Sequence, residues 1–451
     1  MGCSNTTRRG PLPTPEVRAD DRTLTSFSGI VPFLKFVLED LGLARALRRV
    51  APPDGRRRDF AQHLVLLAFL VSAVVGEHRL AHVADLRGDA VLTKFLRLPR
   101  WPVRKVFAAA LASVTDRGVA HLHELIAGVA LAPLTASKRV VIDLDSSAVV
   151  AFGRQEGTRF GYSGKGRNKR RHNPLVASIA EHRMAVRALY RDGSGIDAAE
   201  TIGFLEQTFA TVRARVADGV RIVFRADSGF WSHALGDWLL DQGIPFAFSM
   251  PLRPGLKLLL RSTRWRGLDG DPDIQVCDLP GPRVGIDPRL RVVGIRRRVH
   301  DEKAPPQGKR IAGCTRWRYQ AIVTSMDGLP EDLWRFYNGR ADCENVFRTA
   351  RQALGMGNLV SQGFRANEVA FMLRLLAMNL DMRFQLDREG KALGDADRLA
   401  LRQGLILRQR TFFRCPGRLL KHQGRWVLRV PKLPRVRRLW QHYAPGWFAL
   451  E

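Results

Sequence analysis

A run of strand and helix patterns in residues 138–250 constrains the fold more than any other part of the chain. It begins with the β-branched stretch RVVIDLDSS, followed by two short strand patterns, PLVASIA and MAVRALYRDG. A helical stretch, the strand VRIVFRAD, a second helix and the strand PFAFSM complete it. Three successive strands followed by strand–helix–strand units predict an α/β fold, a mixed sheet with helices on its faces.

Two of these predicted strands end in aspartate. Asp145 ends the first strand and Asp227 ends the fourth. Ligand sites in such sheets form at the carboxyl ends of strands where the connection pattern switches, so neighbouring strands would bring both carboxylates to one edge. Asp143 competes with Asp145, because alternation along a strand places both on the same face.

A third carboxylate lies in the later stretch FYNGRADCENVFRTARQ. The spacing of five residues there predicts one helix face without core positions: Tyr337, Arg340, Glu344, Arg348 and Arg351. The alternative is a solvated helix face with ion pairs between residues four apart.

Two strand-end aspartates and a helical glutamate form an oxygen ligand set of the kind that Mg²⁺ prefers, with Mn²⁺ as a substitute. Two such ions activate an attacking hydroxyl and stabilise the leaving oxygen of a phosphodiester. The candidate catalytic, metal-binding residues are therefore Asp227, Glu344 and either Asp145 or Asp143. A helix cap or a turn is the alternative for each aspartate alone.

The charge balance favours a polyanionic partner. The 451 residues include 73 Lys and Arg against 43 Asp and Glu, a net charge of +30, which is unusual for a metabolic enzyme and indicates nucleic acid or an anionic membrane surface. The longest apolar run, residues 64–75, has 12 residues and is too short to span a bilayer, so we expect no membrane partner. Five scattered cysteines without a CxxC pair predict a reducing, cytoplasmic compartment without a disulfide framework or a zinc site.

The stretch GKGRNKRRHNP, residues 164–174, concentrates basic residues between two predicted strands. We predict a loop that contacts DNA phosphates through Lys165, Arg167, Lys169 and Arg170. A solvated charged loop is the alternative. His172 is expected to be a polar loop residue.

Residues 27 to about 440 resemble the DDE transposases of the IS4-like group, most closely the IS1380 family. The resemblance rests on VVIDLDSS…GRQEG…GY…NPLVAS, on VFRADSGF and on YNGRADCENVFRTAR, which is similar to that family's Tyr-x2-Arg-x3-Glu-x6-Lys signature. It implies an RNase H-like core with a β-strand insertion. It also favours Asp145 over Asp143, so that Asp145, Asp227 and Glu344 would be the catalytic residues that bind the metal ions. It also implies that Tyr337, Arg340 and Arg351 hold DNA phosphates near the cleaved end, with Arg351 replacing the signature's lysine.

The expected function is therefore that of a bacterial, nucleoid-associated DNA transposase. Such an enzyme would bind double-stranded DNA at terminal inverted repeats, cleave it with two metal ions and join the element to target DNA, as a homodimer. The alternatives are an inactive DNA-binding protein of the same fold and a metal-dependent endonuclease without strand transfer.

Composition and periodicity divide the chain into six expected regions. They are a disordered polar arm (1–25), a helical N-terminal DNA-binding domain (26–135), the first part of the catalytic core (136–250), a β-strand-rich insertion (251–325), the second part of the core with the Glu344 helix (326–400) and a basic C-terminal region (401–451).

Overall fold

The computed structural model describes residues 21–52, 59–134, 137–162, 168–268, 270–299, 309–311, 314–389 and 404–447. The helices are α1 (Val31–Lys35), α2 (Leu43–Val50), α3 (Gln62–Val74), α4 (Ala90–Phe95), α5 (Arg104–Ala112), α6 (Asp116–Leu131), α7 (Ala198–Arg213), α8 (His233–Asp241), α9 (Pro254–Ser262), α10 (Gly281–Val284), α11 (Pro330–Asn338), α12 (Ala341–Ala353), α13 (Phe364–Glu389), α14 (Leu405–Arg408) and α15 (Pro434–Tyr443). The strands are β1 (Leu24–Thr25), β2 (Arg139–Ser146), β3 (Val149–Val150), β4 (Arg159–Tyr162), β5 (Asn168–His172), β6 (Leu175–Ile179), β7 (Ala185–Leu189), β8 (Arg221–Ala226), β9 (Phe246–Ser249), β10 (Arg266–Leu268), β11 (Asp271–Pro280), β12 (Arg291–Arg298), β13 (Lys309–Ile311), β14 (Cys314–Thr324), β15 (Gly417–His422) and β16 (Arg425–Arg429).

A ten-stranded mixed sheet forms the centre of the protein. Its order is β10-β11-β12-β14-β9-β8-β2-β6-β7, with β13 paired to β14. Strands β2, β8 and β9 run parallel, and the other neighbours are antiparallel. The α/β prediction is confirmed, and the seven elements predicted in residues 138–250 occur in order as β2, β6, β7, α7, β8, α8 and β9.

Both faces of this sheet are apolar, because successive apolar residues along the strands point to opposite faces. This is expected for strands that are covered on both sides. On one face, Phe224 and Val323 belong to a buried cluster with Phe209 of α7 and Leu235 of α8. On the other face, Ile322 packs in a cluster that includes residues of α11. Helices therefore cover both faces. The carboxyl ends of the central strands β2 and β8 lie at the end of the sheet, between the two helical layers.

The N-terminal helices share a core with later parts of the chain. Buried residues of α1 to α6 form one cluster with residues of α12, α13 and the C-terminal region. Helix α13 packs chiefly on α3, α5 and α6, and it also contacts the edge strand β7. Strand β1 pairs with β15, so residues 24 and 25 differ from the expected disordered arm. In the described chain, residues 26–135 therefore depend on distant segments for their core.

The strands expected in the insertion, residues 251–325, continue the central sheet. Ile322 of β14 pairs with Ser249 of β9, and β12, β11 and β10 follow outward in antiparallel order. The region also contains α9 and α10, which the sequence reading did not predict. Ladder hydrogen bonds therefore join this region to the core sheet.

Every helix in the described ranges is too short or too polar to cross a lipid bilayer.

Candidate active site

Asp145 and Asp227 lie side by side at the carboxyl ends of two neighbouring parallel strands. In the register of β2 and β8, Leu144 is opposite Ala226, so the two aspartates occupy the next position on each strand. Asp145 accepts a hydrogen bond from the Ser146 amide at 2.9 Å, and Asp227 accepts one from the Gly229 amide at 2.8 Å. The predicted meeting of two carboxylates at one sheet edge agrees with this geometry.

Arg340 lies between these carboxylates. Its Nη2 donates to Asp145 Oδ1 at 3.3 Å and lies 3.9 Å from Asp227 Oδ2. The Arg340 side chain is 6% exposed, whereas those of Asp145 and Asp227 are 20% and 42% exposed. The predicted phosphate-binding arginine is therefore a buried cation shared by the two predicted metal ligands.

Asp143 has a different environment from Asp145. Its two carboxylate oxygens accept from Arg225 Nε at 2.7 Å and from Arg225 Nη2 at 2.8 Å, and both side chains are at most 5% exposed. Arg225 also donates to the Phe336 carbonyl, and its guanidinium lies 4.8 Å from the centre of the Phe336 ring. Asp143 thus ties β2 and β8 to the end of α11 through Arg225, and both oxygens of its carboxylate accept hydrogen bonds from that arginine.

The expected single helix from Tyr337 to Arg351 is two helices. Helix α11 ends at Asn338 and α12 begins at Ala341, with Gly339 and Arg340 between them. A Cβ at Gly339 would lie 2.9 Å from Arg225 Nη1 and 3.3 Å from the Phe336 carbonyl oxygen, so the break is the place where Arg225 packs against the backbone. The prediction of one continuous helix face is wrong for this reason.

Tyr337 belongs to the core, contrary to the expectation that this face has no core residue. It is 7% exposed in the cluster that contains Leu333 and Ile322. Burial of the ring in this cluster supports α11 on the sheet. A direct contact of Tyr337 with a phosphate has no support in this position.

Helix α12 brings its later turns to the same sheet edge. Arg351 donates to Ser147 Oγ from Nη2 at 2.9 Å and from Nε at 3.3 Å, and burial lowers the pKa of its guanidinium while the Asp145 charge opposes that shift. Arg348 is exposed and donates to Asn345. Glu344 belongs to the helix, four residues after Arg340 and seven before Arg351, and its side chain lies outside the described part of the structure.

Sequence reasoning missed Ser147 and Arg225. Ser147 is 4% exposed, and the only signal for it was its place directly after the strand-end aspartates. Arg225 is a charged residue at a position where neighbouring strand residues are apolar, a pattern that indicates a buried partner of opposite charge. That signal would have pointed to Asp143 as the partner.

The expected basic loop is partly a strand. Residues Asn168–His172 form β5, which pairs with β3 and β4 in a small antiparallel sheet. Lys169 is exposed there. Arg170 donates to Thr158 Oγ1 at 3.1 Å and lies over the Phe160 ring at 5.4 Å. Lys165 and Arg167 lie outside the described residues.

His172 is buried, which corrects its expected place in a polar loop. It is fully buried, and its ring centre lies 4.9 Å from that of Tyr190 and 5.5 Å from that of Phe364. Burial lowers its pKa, partly opposed by a backbone hydrogen bond and the Asp192 charge. The burial of His172 was not predicted because the neighbouring residues are basic, and such a sequence is typical of a charged loop.

The donor set fits a divalent cation. Carboxylate oxygens are the ligands that Mg²⁺ and Mn²⁺ prefer, and the guanidinium shared by Asp145 and Asp227 marks the place between them as one that holds positive charge. Within the described side chains, no group of three or more His, Cys, Asp or Glu has a metal-binding arrangement. The described pair would therefore supply two of the ligands.

Comparison with known proteins gave one family match and distant structural similarities. Residues 13–264 match the family described as transposase DDE domain group 1, a range that includes Asp145 and Asp227. A search of curated proteins gave no match. The piggyBac transposase synaptic complex with hairpin DNA is similar at a TM-score of 0.47 and 11% identity, over 86% of this chain and 81% of that chain. The Drosophila P element transposase strand transfer complex is similar at a TM-score of 0.24 and 13% identity, over 54% of this chain and 46% of that chain.

Proposed function

Because more than half of this chain matches the transposase DDE domain family, group 1, it belongs to that family of transposase enzymes, and we propose that it cuts and joins DNA at the ends of a mobile element. It binds the terminal inverted repeats of an insertion sequence as a homodimer, releases the element and transfers the 3′ ends to target DNA. The finer assignment to the IS4-like group and the IS1380 family is part of this proposal. The supporting observation is the pair of strand-end carboxylates, Asp145 and Asp227, next to the helix that carries Glu344.

The order of five neighbouring strands, from β7 to β9, supports an RNase H-like core. Strands β7, β6, β2, β8 and β9 are the third, second, first, fourth and fifth strands of the core in chain order, with β2, β8 and β9 parallel. In this arrangement the connection pattern switches between β2 and β8, the position where α/β sheets bind ligands. We therefore propose that the two aspartates at the carboxyl ends of these strands are the centre of the reaction.

Each residue in the site has a proposed task. Asp145, Asp227 and Glu344 hold two divalent cations, Mg²⁺ with Mn²⁺ as a substitute. When bound, such ions lower the pKa of a water or hydroxyl and stabilise the leaving oxygen. Asp143 and Arg225 fix the strand ends and the α11–α12 turn. Arg351 orients Ser147 beside Asp145, and the exposed Arg348 and Lys169 contact the DNA backbone.

The test of this function is Mg²⁺-dependent cleavage of a duplex that carries the element's end. Native protein and Glu344→Gln are compared at equal DNA occupancy. We expect cleavage only by the native protein, while both bind. Binding by both without cleavage by either would favour an inactive DNA-binding protein, and cleavage without joined products on labelled target DNA would favour an endonuclease.

Arg340 gives a second prediction, because its guanidinium and a metal ion use the same two carboxylates. Unit charges about 4 Å apart interact by about 4 kcal/mol at an effective dielectric constant near 20. Removing the positive charge in Arg340→Gln is therefore expected to tighten Mn²⁺ binding by at least about tenfold, which corresponds to about 1.4 kcal/mol. Titration of the DNA-free protein, with free Mn²⁺ measured by electron paramagnetic resonance, gives the affinity.

Arg348→Gln is the matched control, since Arg348 is an exposed arginine on the helix that follows Arg340. The affinity of this control for Mn²⁺ is expected to stay much closer to that of the native protein. Equal or weaker Mn²⁺ binding by Arg340→Gln would contradict competition and would make Arg340 an organiser of the two carboxylates.

A further inference from the structure

The C-terminal region carries positive charge without internal compensation. Residues 404–447 contain eleven Lys and Arg and no Asp or Glu. Arg408 is buried against Asp381 of α13, and Arg414 and Arg418 pair with Glu77 and Asp21 from the N-terminal part. The remaining eight Lys and Arg side chains are exposed: Arg410, Lys421, Arg425, Arg429, Lys432, Arg435, Arg437 and Arg438.

The hairpin of β15 and β16, residues 417–429, concentrates this charge on one face, and we call it the basic ribbon. Register places Arg418 opposite Arg429 and His422 opposite Arg425. Because side chains alternate along a strand, these four share one face. The opposite face holds the buried Leu419 and packs on the protein, so the basic face points outward.

Arg418 and Arg429 lie directly opposite each other on neighbouring strands, where like charges destabilise a sheet. The ion pair of Arg418 with Asp21 offsets part of this repulsion. Arg425 and Arg429, four residues apart on β16, are both exposed on this face, so the ribbon presents positive charge to solvent.

We propose that the basic ribbon is a docking surface for the sugar–phosphate backbone of double-stranded DNA, separate from the contacts made beside Asp145. The proposal rests on the proposed function for its choice of DNA as the polyanion. Arginine binds phosphate through paired donors, and Arg425 and Arg429 of the ribbon are both exposed. The ribbon reads no base identity through such contacts, so it strengthens binding to every duplex alike.

The test uses the full-length protein with Arg425→Gln and Arg429→Gln together, on two duplexes of unrelated sequence. Affinity falls as salt rises, and each lost phosphate contact makes the slope of log affinity against log salt less steep by about 0.9. We expect the magnitude of this negative slope to decrease by about 1.8 and both duplexes to lose affinity equally. Arg261→Gln with Arg264→Gln is the matched control, since it removes two exposed arginines elsewhere and is expected to change the slope less.

Three results would overturn the ribbon proposal while leaving the proposed function intact. One is an unchanged salt dependence of DNA binding in the ribbon variant. Another is an equal decrease of the salt dependence in the control variant, which would show that only the overall charge of the protein matters. The third is loss of binding to phosphatidylserine vesicles with unchanged DNA binding, which would identify a membrane surface instead. Failure of the native protein to bind any duplex would instead contradict the proposed function itself. Circular dichroism checks that both variants keep the native fold.

Discussion

Replacing Asp143 with alanine is expected to lower the free energy of unfolding by about 3–5 kcal/mol, the range found when one partner of a buried ion pair is removed. The variant leaves Arg225, whose side chain is 5% exposed, without the carboxylate that accepts two of its hydrogen bonds. The remaining contacts of Arg225, the Phe336 carbonyl and ring, do not neutralise its charge. Urea unfolding followed by tryptophan fluorescence measures the change.

A double-mutant cycle separates the ion pair from simple loss of packing. Asp143→Leu and Arg225→Met remove the two charges singly and together, and the double variant is expected to be more stable than the sum of the single effects predicts by at least about 1 kcal/mol. Additive effects, or a cost of Asp143→Ala below about 1 kcal/mol, would contradict a structural role. Asp143 would then return as a candidate ligand.

The sheet could be predicted because its signals are local and repeated. The apolar runs that became β2, β8 and β9 are long enough to identify strands, and the sequence of strands and helices along the chain indicated a mixed sheet. The order of the strands within the sheet was not predicted. The small sheet of β3, β4 and β5 was missed because its middle strand is Asn168–His172, and basic residues in sequence are typical of loops. Its strand character comes from pairing with Val149 and Phe160, which no local pattern contains.

The position of the two candidate aspartates at strand ends could be predicted from the sequence, whereas their contacts with arginines could not. Asp145 and Asp227 were found because strand ends can be identified from sequence. The helix break before α12 could not be, because it depends on Arg225 reaching Gly339 across 114 residues of chain. The contact of Arg340 with both aspartates joins residues far apart in sequence, so no local pattern contains it.

Replacing Asp145 with asparagine is expected to reduce Mg²⁺-dependent cleavage by more than about 100-fold, because mutation of residues that only support a metal ligand already costs about 10–100-fold. Asparagine keeps the size of the side chain and an oxygen that accepts from the Ser146 amide, a hydrogen bond of 2.9 Å in this structure. The fold and DNA binding should therefore persist. Single-turnover cleavage at saturating protein measures the reaction step.

Asp227 and Asp218 supply the decisive comparison. Asp227→Asn should reduce cleavage to a similar extent, and the double variant with Asp145→Asn should lose little more, because residues that act as one unit have non-additive effects. Asp218 is an exposed aspartate shortly before the opposite end of β8, so Asp218→Asn makes the same chemical change away from the site and should leave cleavage within about threefold of native. Retention of cleavage by Asp145→Asn, together with loss in an Asp143→Asn protein that still folds, would move the ligand role to Asp143. Two independent, additive losses would instead show that Asp145 and Asp227 do not share one centre.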